Sequence, residues 1–248
     1  MELDTSPAAR DDDLILGLDP ERIGYTISKL ERRIVERFPG ASLAKVCGRL
    51  AGIARRTVGR LEYVARPILW LRASSWIMAV LILGGFIALL VRVVAPPDLP
   101  GGVDSALALF QALETGIQDV VFIGIGLAFL ITAENRIRRG RALRYIHELR
   151  AIAHIVDMHQ LTKDPDRLIH PVAATESSPA RPFTVAELGR YLDYCSEMLS
   201  MTSKIVALYA ERFNDGVVLQ ADDEGETLTN GLSRKIWQKI MILDAVPE

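Results

Sequence analysis

The four histidines of this chain all fall between residues 147 and 170, and three of them share one stretch, HELRAIAHIVDMHQ. His147, His154 and His159 are interleaved there with Glu148 and Asp157, the residue types that bind zinc or iron. Spacing limits what they can do. His147 and His154 lie seven residues apart, about 10 Å along a helix, so one ion cannot take both unaided. His154 and Asp157, three apart, could supply two ligands, with a second helix supplying the rest. The alternative reading is a set of half-buried polar side chains bonded between helices. Asp193 and Glu197 form a comparable pair, with Cys195 between them.

No nucleophile elbow, P-loop, dinucleotide fingerprint or HExxH occurs. Asp222, Glu224 and Glu226 alternate as the first ligands of a calcium loop would. Thr227 stands where the loop needs Gly, and Ser233 where it needs a bidentate Glu. The cluster reads instead as an acidic helix start, which the helix dipole favours. An enzyme is therefore the lesser expectation, with no cofactor and no metal, His154 and Asp157 being the leading candidate ligands.

The elements that would position these residues surround two apolar stretches. Ala73 to Val91 holds 19 residues without a charge, and Val120 to Ala133 holds 14 more. A bilayer core about 30 Å thick needs about 20 apolar helical residues, so the first stretch fits directly. Between the two lie Asp98, Asp104, Glu114 and Asp119, with Arg92 the one basic residue at that edge. Outside the pair lie Lys45, Arg49, Arg55, Arg56, Arg60, Arg66 and Arg72 on one side, and Arg136, Arg138, Arg139, Arg141 and Arg144 on the other. The positive-inside rule places both basic flanks in the cytoplasm. The expectation is an uncleaved two-helix transmembrane hairpin (69–135, spans about 73–94 and 116–134) with both termini cytoplasmic. Mean hydropathy is positive and net charge is −2, so no global field points to nucleic acid.

Residues 1–18 read as a disordered acidic N-terminus. In 19–68, Pro20 opens a helix with Ile23, Ile27, Leu30, Ile34 and Phe38 at helical spacing, and Pro39-Gly40 closes it. Ser42 is placed as the cap of a second helix to Val64, with Leu43, Val46, Leu50, Ile53, Val58 and Leu61 on one face. So basic an amphipathic helix before a span reads as lying on the membrane surface, the alternative being a helix packed on the cytosolic domain. Asp104 to Glu114 predicts a short outer helix, and the second span begins near Gly116 and runs past Glu134 as one rod. Residues 136–248 predict a cytosolic helical bundle, with helices at 141–163, 184–213 and 226–243. Thr184 with Glu187 is a capping-box signature. Leu228, Leu232, Ile236, Trp237 and Ile240 form the apolar face of the last helix. The fold class is all-α.

Leu188, Leu192, Cys195, Leu199, Thr202, Val206, Tyr209 and Phe213 repeat in steps of four and three, a heptad seam expected to complete its core in a homo-oligomer. Gly84 and Ala88, and Gly124 and Ala128, have the four-residue spacing of small residues that lets helices approach in lipid. Glu114 and Asp119 could ring a pore, although one Gly is too few for a potassium-type filter. Cys47 and Cys195 fall on the cytoplasmic side, where no structural disulfide is expected.

The stretch HELRAIAHIVDMHQLTKDP, with YLDYCSEMLS and LSRKIWQKIMIL, resembles a group of uncharacterised bacterial two-span inner-membrane proteins, over residues 70–163 and 184–243. That resemblance implies the bacterial inner membrane and supplies no activity. Together these readings give a membrane-anchored oligomeric scaffold or interaction module with a regulatory bent. Its partners are the lipid bilayer, further copies of the chain and a cytosolic protein, with no nucleic acid. The alternative is an oligomeric ion-conducting or transport-accessory protein, and the third reading a metal-dependent enzyme at the His147–Asp157 face.

Overall fold

The computed structural model describes residues 17–94, 102–165, 176 and 183–245, and the expected disordered N-terminus lies almost wholly outside them. Every regular element among the described residues is an α-helix. In chain order these are α1 (Pro20–Arg37), α2 (Ser42–Ala65), α3 (Leu69–Val94), α4 (Gly102–Leu161), α5 (Val185–Arg212) and α6 (Gly216–Asp244). The chain divides into two compact units, Met1–Ala65 with Arg141–Glu248, and Arg66–Gly140.

In the first unit, local chemistry sets the helix ends. Asp19 caps α1, its Oδ1 accepting from the backbone N–H of Glu21 at 2.8 Å, and Pro20 fills the first turn, where no donor is needed. Gly40 takes φ +79°, the left-handed conformation that turns the chain from α1 into α2. α5 opens on a complete capping box. Thr184 Oγ1 accepts from the Glu187 N–H at 3.2 Å, and the Glu187 carboxylate accepts from the Thr184 N–H at 2.8 Å.

These helices pack through regular stripes. α1 buries Ile23, Ile27, Leu30 and Ile34, the predicted face. α2 packs on α1 and α5, and buries Leu43, Cys47, Leu50, Ala51, Ile53, Ala54, Thr57, Leu61 and Val64. Its apolar face is thus covered by helices of its own chain, the second of the two sequence readings. Val58, placed on that face by periodicity, is exposed. α5 is the central helix, with neighbours in α1, α2 and α6 and in the end of α4. Gly225 of α6 lets Val206 of α5 approach to 3.5 Å from where its Cβ would stand.

Three expectations change. α6 begins at Gly216, capped by Asp215, ten residues before the predicted start. Asp222 to Glu226 are therefore interior to a helix, not at its dipole-favoured end. Trp237 is 60 % exposed, although Leu232 and Ile236 of its predicted face are buried. Finally, the short helix at 104–114, the second apolar stretch and the helix from 141 are one continuous helix, α4. Gly116, Gly124, Gly126 and Gly140 each cost about 1 kcal/mol in a helix interior, too little to break a hydrogen-bonded ladder without proline.

The Arg66–Gly140 unit has a different character. α3, 26 residues long, extends about 39 Å. α3 and α4 each hold a stretch long and apolar enough to cross a membrane, and almost none of either is buried within the chain. Glu134 of α4 accepts from the backbone N–H of Ile68 at 3.3 Å and pairs with Arg72 Nε at 3.7 Å. That carboxylate supplies a partner to an N–H left open at the start of α3.

Candidate functional site

Among the described residues of the first unit, two polar clusters stand out; the sequence named Glu148, His159 and Cys195 within them, as side chains bonded between helices, but not the partners they meet. One lies between α2, α4 and α5. Arg60 Nη1 donates to Glu148 Oε2 at 2.7 Å, and its guanidinium carbon sits 4.5 Å from the centre of the Tyr145 ring. Tyr145 stacks on Tyr209, centroids 5.5 Å apart. Burial pulls the Arg60 guanidinium down, but the hydrogen bond and charge of Glu148 hold it above its ordinary value. Tyr209 is fully buried and its hydroxyl makes no hydrogen bond of good geometry. Burial raises its pKa, against the pull of Thr57 and Arg60 beside it. Thr57 Oγ1 itself donates to the Ile53 carbonyl at 3.0 Å. Near this cluster, Arg141 lies over the Tyr63 ring at 4.3 Å and donates to the Tyr63 carbonyl at 3.3 Å.

The second convergence closes the C-terminal end of α4. Lys239 Nζ donates to the carbonyls of Gln160 at 2.8 Å and Lys163 at 3.2 Å, the acceptors a helix end leaves open. Lys163 Nζ lies 4.6 Å from the centre of Phe183 and 5.6 Å from that of Tyr191. Burial lowers both lysines. His159 Nδ1 is 3.3 Å from Ser42 Oγ, and burial, then the Lys163 charge, lowers its pKa. Ser42 is thus the first residue of α2, with its hydroxyl directed to His159. The Cys195 thiol is fully buried and pushed up to about 12 by burial, although Lys239 and Lys163 pull it down. Burial, with Glu31 next, likewise raises Cys47 to about 12. A thiol that stays protonated is a poor nucleophile and a poor ligand, and the contacts of Lys239 in this cluster terminate a helix.

The proposed metal ligands do not assemble. His147 and His154 are exposed, and the Asp157 carboxylate accepts from Gln160 Nε2 at 2.6 Å. Among the described residues, no three of the His, Cys, Asp and Glu side chains gather as a metal site would need. Asp193 pairs with Arg190 at 3.3 Å, and Glu197 receives both Arg33 guanidinium nitrogens across α1 and α5.

The seam residues Leu188, Leu192, Cys195, Leu199, Thr202, Val206 and Tyr209 are all buried within one chain, and Phe213 closes the stripe. The heptad spacing is real, and what covers it is α1, α2, α4 and α6. It is not left open to a second copy. The small residues Gly84, Ala88, Gly124 and Ala128 are exposed, and nothing lies within 4 Å of a Cβ built on Gly84 or Gly124. Among the glycines described, a Cβ built on Gly126 would stand 4.0 Å from Met78 Cε of α3. Glu114 is exposed, and the Asp119 side chain lies outside the described residues. Residues 115–119 are helical, so their carbonyls face along the helix axis in its own hydrogen-bond ladder, unlike those of a filter.

An open groove of about 410 Å³ lies where the start of α1 meets α2 and α5, lined by Leu18, Val58, Leu61, Glu62, Leu208 and Glu211 among others. Its lining brings no nucleophile and base together. Comparison of the chain with family models, with curated proteins and with solved structures finds no match.

Proposed function

We propose that this chain is a membrane-anchored scaffold or interaction module, in which α3 and the apolar part of α4 form a transmembrane hairpin carrying a cytosolic helical domain. One observation carries the reading. The first unit closes its own core, whereas large apolar side chains of α3 and α4 remain outside any core: Trp76 is 73 % exposed, Ile77 63 %, Phe122 64 % and Phe129 71 %. Leaving a Phe or Ile in water forgoes about 1.5–3 kcal/mol each, and a bilayer recovers that. The backbone of both stretches is helical, the form that satisfies its polar groups internally in lipid. The basic residues beyond both stretches favour cytoplasmic termini in a bacterial inner membrane.

Self-association in this reading runs through the exposed faces of Gly84 and Ala88 and of Gly124 and Ala128, since the Leu188 to Phe213 stripe is used within the chain. The cytosolic domain then offers its outer surface to a protein partner. A reporter fused after Glu248 should report the cytoplasm, and one inserted at Gly102 the outside. The reverse pattern would overturn the cytoplasmic placement of the termini, and both reporters on one side would remove the hairpin.

A further inference from the structure

We propose that the exposed face of α2 around Gly52 is a binding site for a soluble phosphate monoester, held by Arg55 and Arg56. The inference goes beyond the scaffold reading and does not depend on the hairpin.

α2 carries Lys45, Arg49, Arg55, Arg56 and Arg60 against one carboxylate, Glu62. Glu148 engages Arg60. The other four cations are exposed, and among the described residues none of them makes an ion pair or a hydrogen bond. The Glu31 carboxylate crosses from α1 onto Gly48, one turn before Gly52, and pairs with neither Arg55 nor Arg56. Long side chains on a helix lean back over the preceding turn, and here two of them lean over the same bare residue. A Cβ on Gly52 would stand 3.7 Å from Arg56 Nη1 and 3.9 Å from Arg55 Nη2, and it would meet no atom of another helix within 4 Å. Packing between helices therefore does not require glycine there, although glycine weakens a helix interior. What the missing side chain leaves is a notch floored by backbone, with two guanidinium heads at its rim. Held together, the two cations repel, and a dianion between them turns the repulsion into two attractions. Guanidinium matches phosphate oxygens two at a time, and a phosphate monoester carries about two negative charges at neutral pH. Arg49, one turn before Gly52, shares the face and adds a third cation. Lys45, Arg49, Gly52, Arg56 and Gly59, which run along this face, bring no large apolar side chain to enter a bilayer, so a soluble ester fits it better than a lipid surface.

The test titrates phenyl phosphate into the purified full chain in a neutral detergent and follows binding by phosphorus NMR. The expected result is saturable binding that weakens as salt rises, with dimethyl phosphate, a singly charged diester, bound about tenfold more weakly. Arg55→Gln with Arg56→Gln should weaken phenyl phosphate about tenfold or more, and Arg55→Lys with Arg56→Lys by a smaller factor, because an ammonium offers charge without the fork. Gly52→Leu keeps every charge, suits a helix and fills the notch, so it should lose binding while helical content by circular dichroism holds. Wild-type affinity in Gly52→Leu would make the attraction diffuse and overturn the site. Wild-type affinity in the double Gln variant would place binding elsewhere and overturn it equally. Absence of saturable binding overturns the ligand class. Binding that persists in phosphatidylcholine nanodiscs but disappears when phosphatidylglycerol is added to them assigns the site to lipid headgroups and overturns the soluble ligand.

Discussion

Arg60 of α2 lies over the ring of Tyr145 of α4 at 4.5 Å, and four residues earlier on α4 the pairing is exchanged, Arg141 lying over Tyr63 at 4.3 Å. The two helices therefore trade an arginine for an aromatic ring in each direction. Glu148 adds a charged hydrogen bond to the first pair, and Tyr209 of α5 stacks beneath it. α2 and α4 are thus fastened to each other by polar and cation–ring contacts, and α4 to α5 by the stacked tyrosines, where the seam ends.

The Arg60–Glu148 pair should be measurably coupled. The Arg60 side chain is 17 % exposed and that of Glu148 40 %, so solvent screens the pair in part. A double-mutant cycle with Arg60→Met and Glu148→Gln should give a coupling of about 1 kcal/mol, between the surface and buried limits. Arg60→Met alone should cost more, because the stacking on Tyr145 is lost as well. Denaturant unfolding of the four proteins checks this. A zero coupling would make the contact incidental.

The capping box at Thr184 and Glu187 predicts two separable effects. Thr184→Ala should cost about 1 kcal/mol at neutral pH, roughly 2–4 °C in melting temperature. The backbone N–H of Thr184, then its hydroxyl, hold the Glu187 carboxyl below its ordinary 4.5. A depressed folded pKa contributes stability present above 4.5 and lost as pH falls through the folded value. Glu187→Gln should therefore flatten the acid limb of the stability profile, with little change in its shape above pH 6. Thermal melts across pH 3–7 would show it. Glu187 is partly open to solvent at the helix start, which keeps the effect small.

How far the sequence carries can be followed residue by residue. Thr184 and Glu187 announced a helix start because capping is local chemistry, complete within four residues. Ile23 to Ile34 announced a buried stripe for the same reason: a 3.6-residue period needs no partner to be seen. The start of α6 was hidden because Asp222 to Glu226 imitate an acidic first turn, while the true cap, Asp215, precedes a glycine. α4 was divided because its polarity changes along its length, and a change of environment reads like a change of element. The Arg60, Tyr145 and Glu148 cluster was beyond reach, since 85 residues separate its halves and no short motif encodes a contact between α2 and α4. The seam was visible as a period, but a period does not say whose side chains fill the other half.

Burial of Leu192 and Leu199 within the chain predicts what charges there will do. Leu199→Ala should destabilise the first unit by about 2–5 kcal/mol, the range for a leucine truncated in a packed core. Leu192→Asp with Leu199→Asp should abolish cooperative unfolding outright, because two carboxylates would enter a site with no partner. The oligomeric size of the solubilised Leu199→Ala protein should equal that of the wild type. A variant that stays folded but falls to a smaller assembly would return the seam to an interface between copies.

The last prediction separates a scaffold from a pore and from a metal enzyme. A pore of carboxylates needs Glu114 or Asp119 near its axis in an assembly, where a ring of charge concentrates cations. The helical backbone at 115–119 removes carbonyl coordination from that path, leaving the side chains to act alone. A metal enzyme needs His154 and Asp157 to share an ion, yet Asp157 accepts from Gln160 and His154 is exposed. The expected outcome for the purified protein in liposomes is no cation flux above empty vesicles, and for elemental analysis less than one tightly held metal per chain. Flux abolished by Glu114→Gln or Asp119→Asn would replace the scaffold with a conducting assembly. One zinc or iron per chain, lost in His154→Ala, would replace it with an enzyme, because alanine cannot ligate and nothing else in that variant changes the core. With neither seen, crosslinking in cells should recover a protein bound to the cytosolic helices, and failure to recover one would leave the scaffold without its partner and refute it.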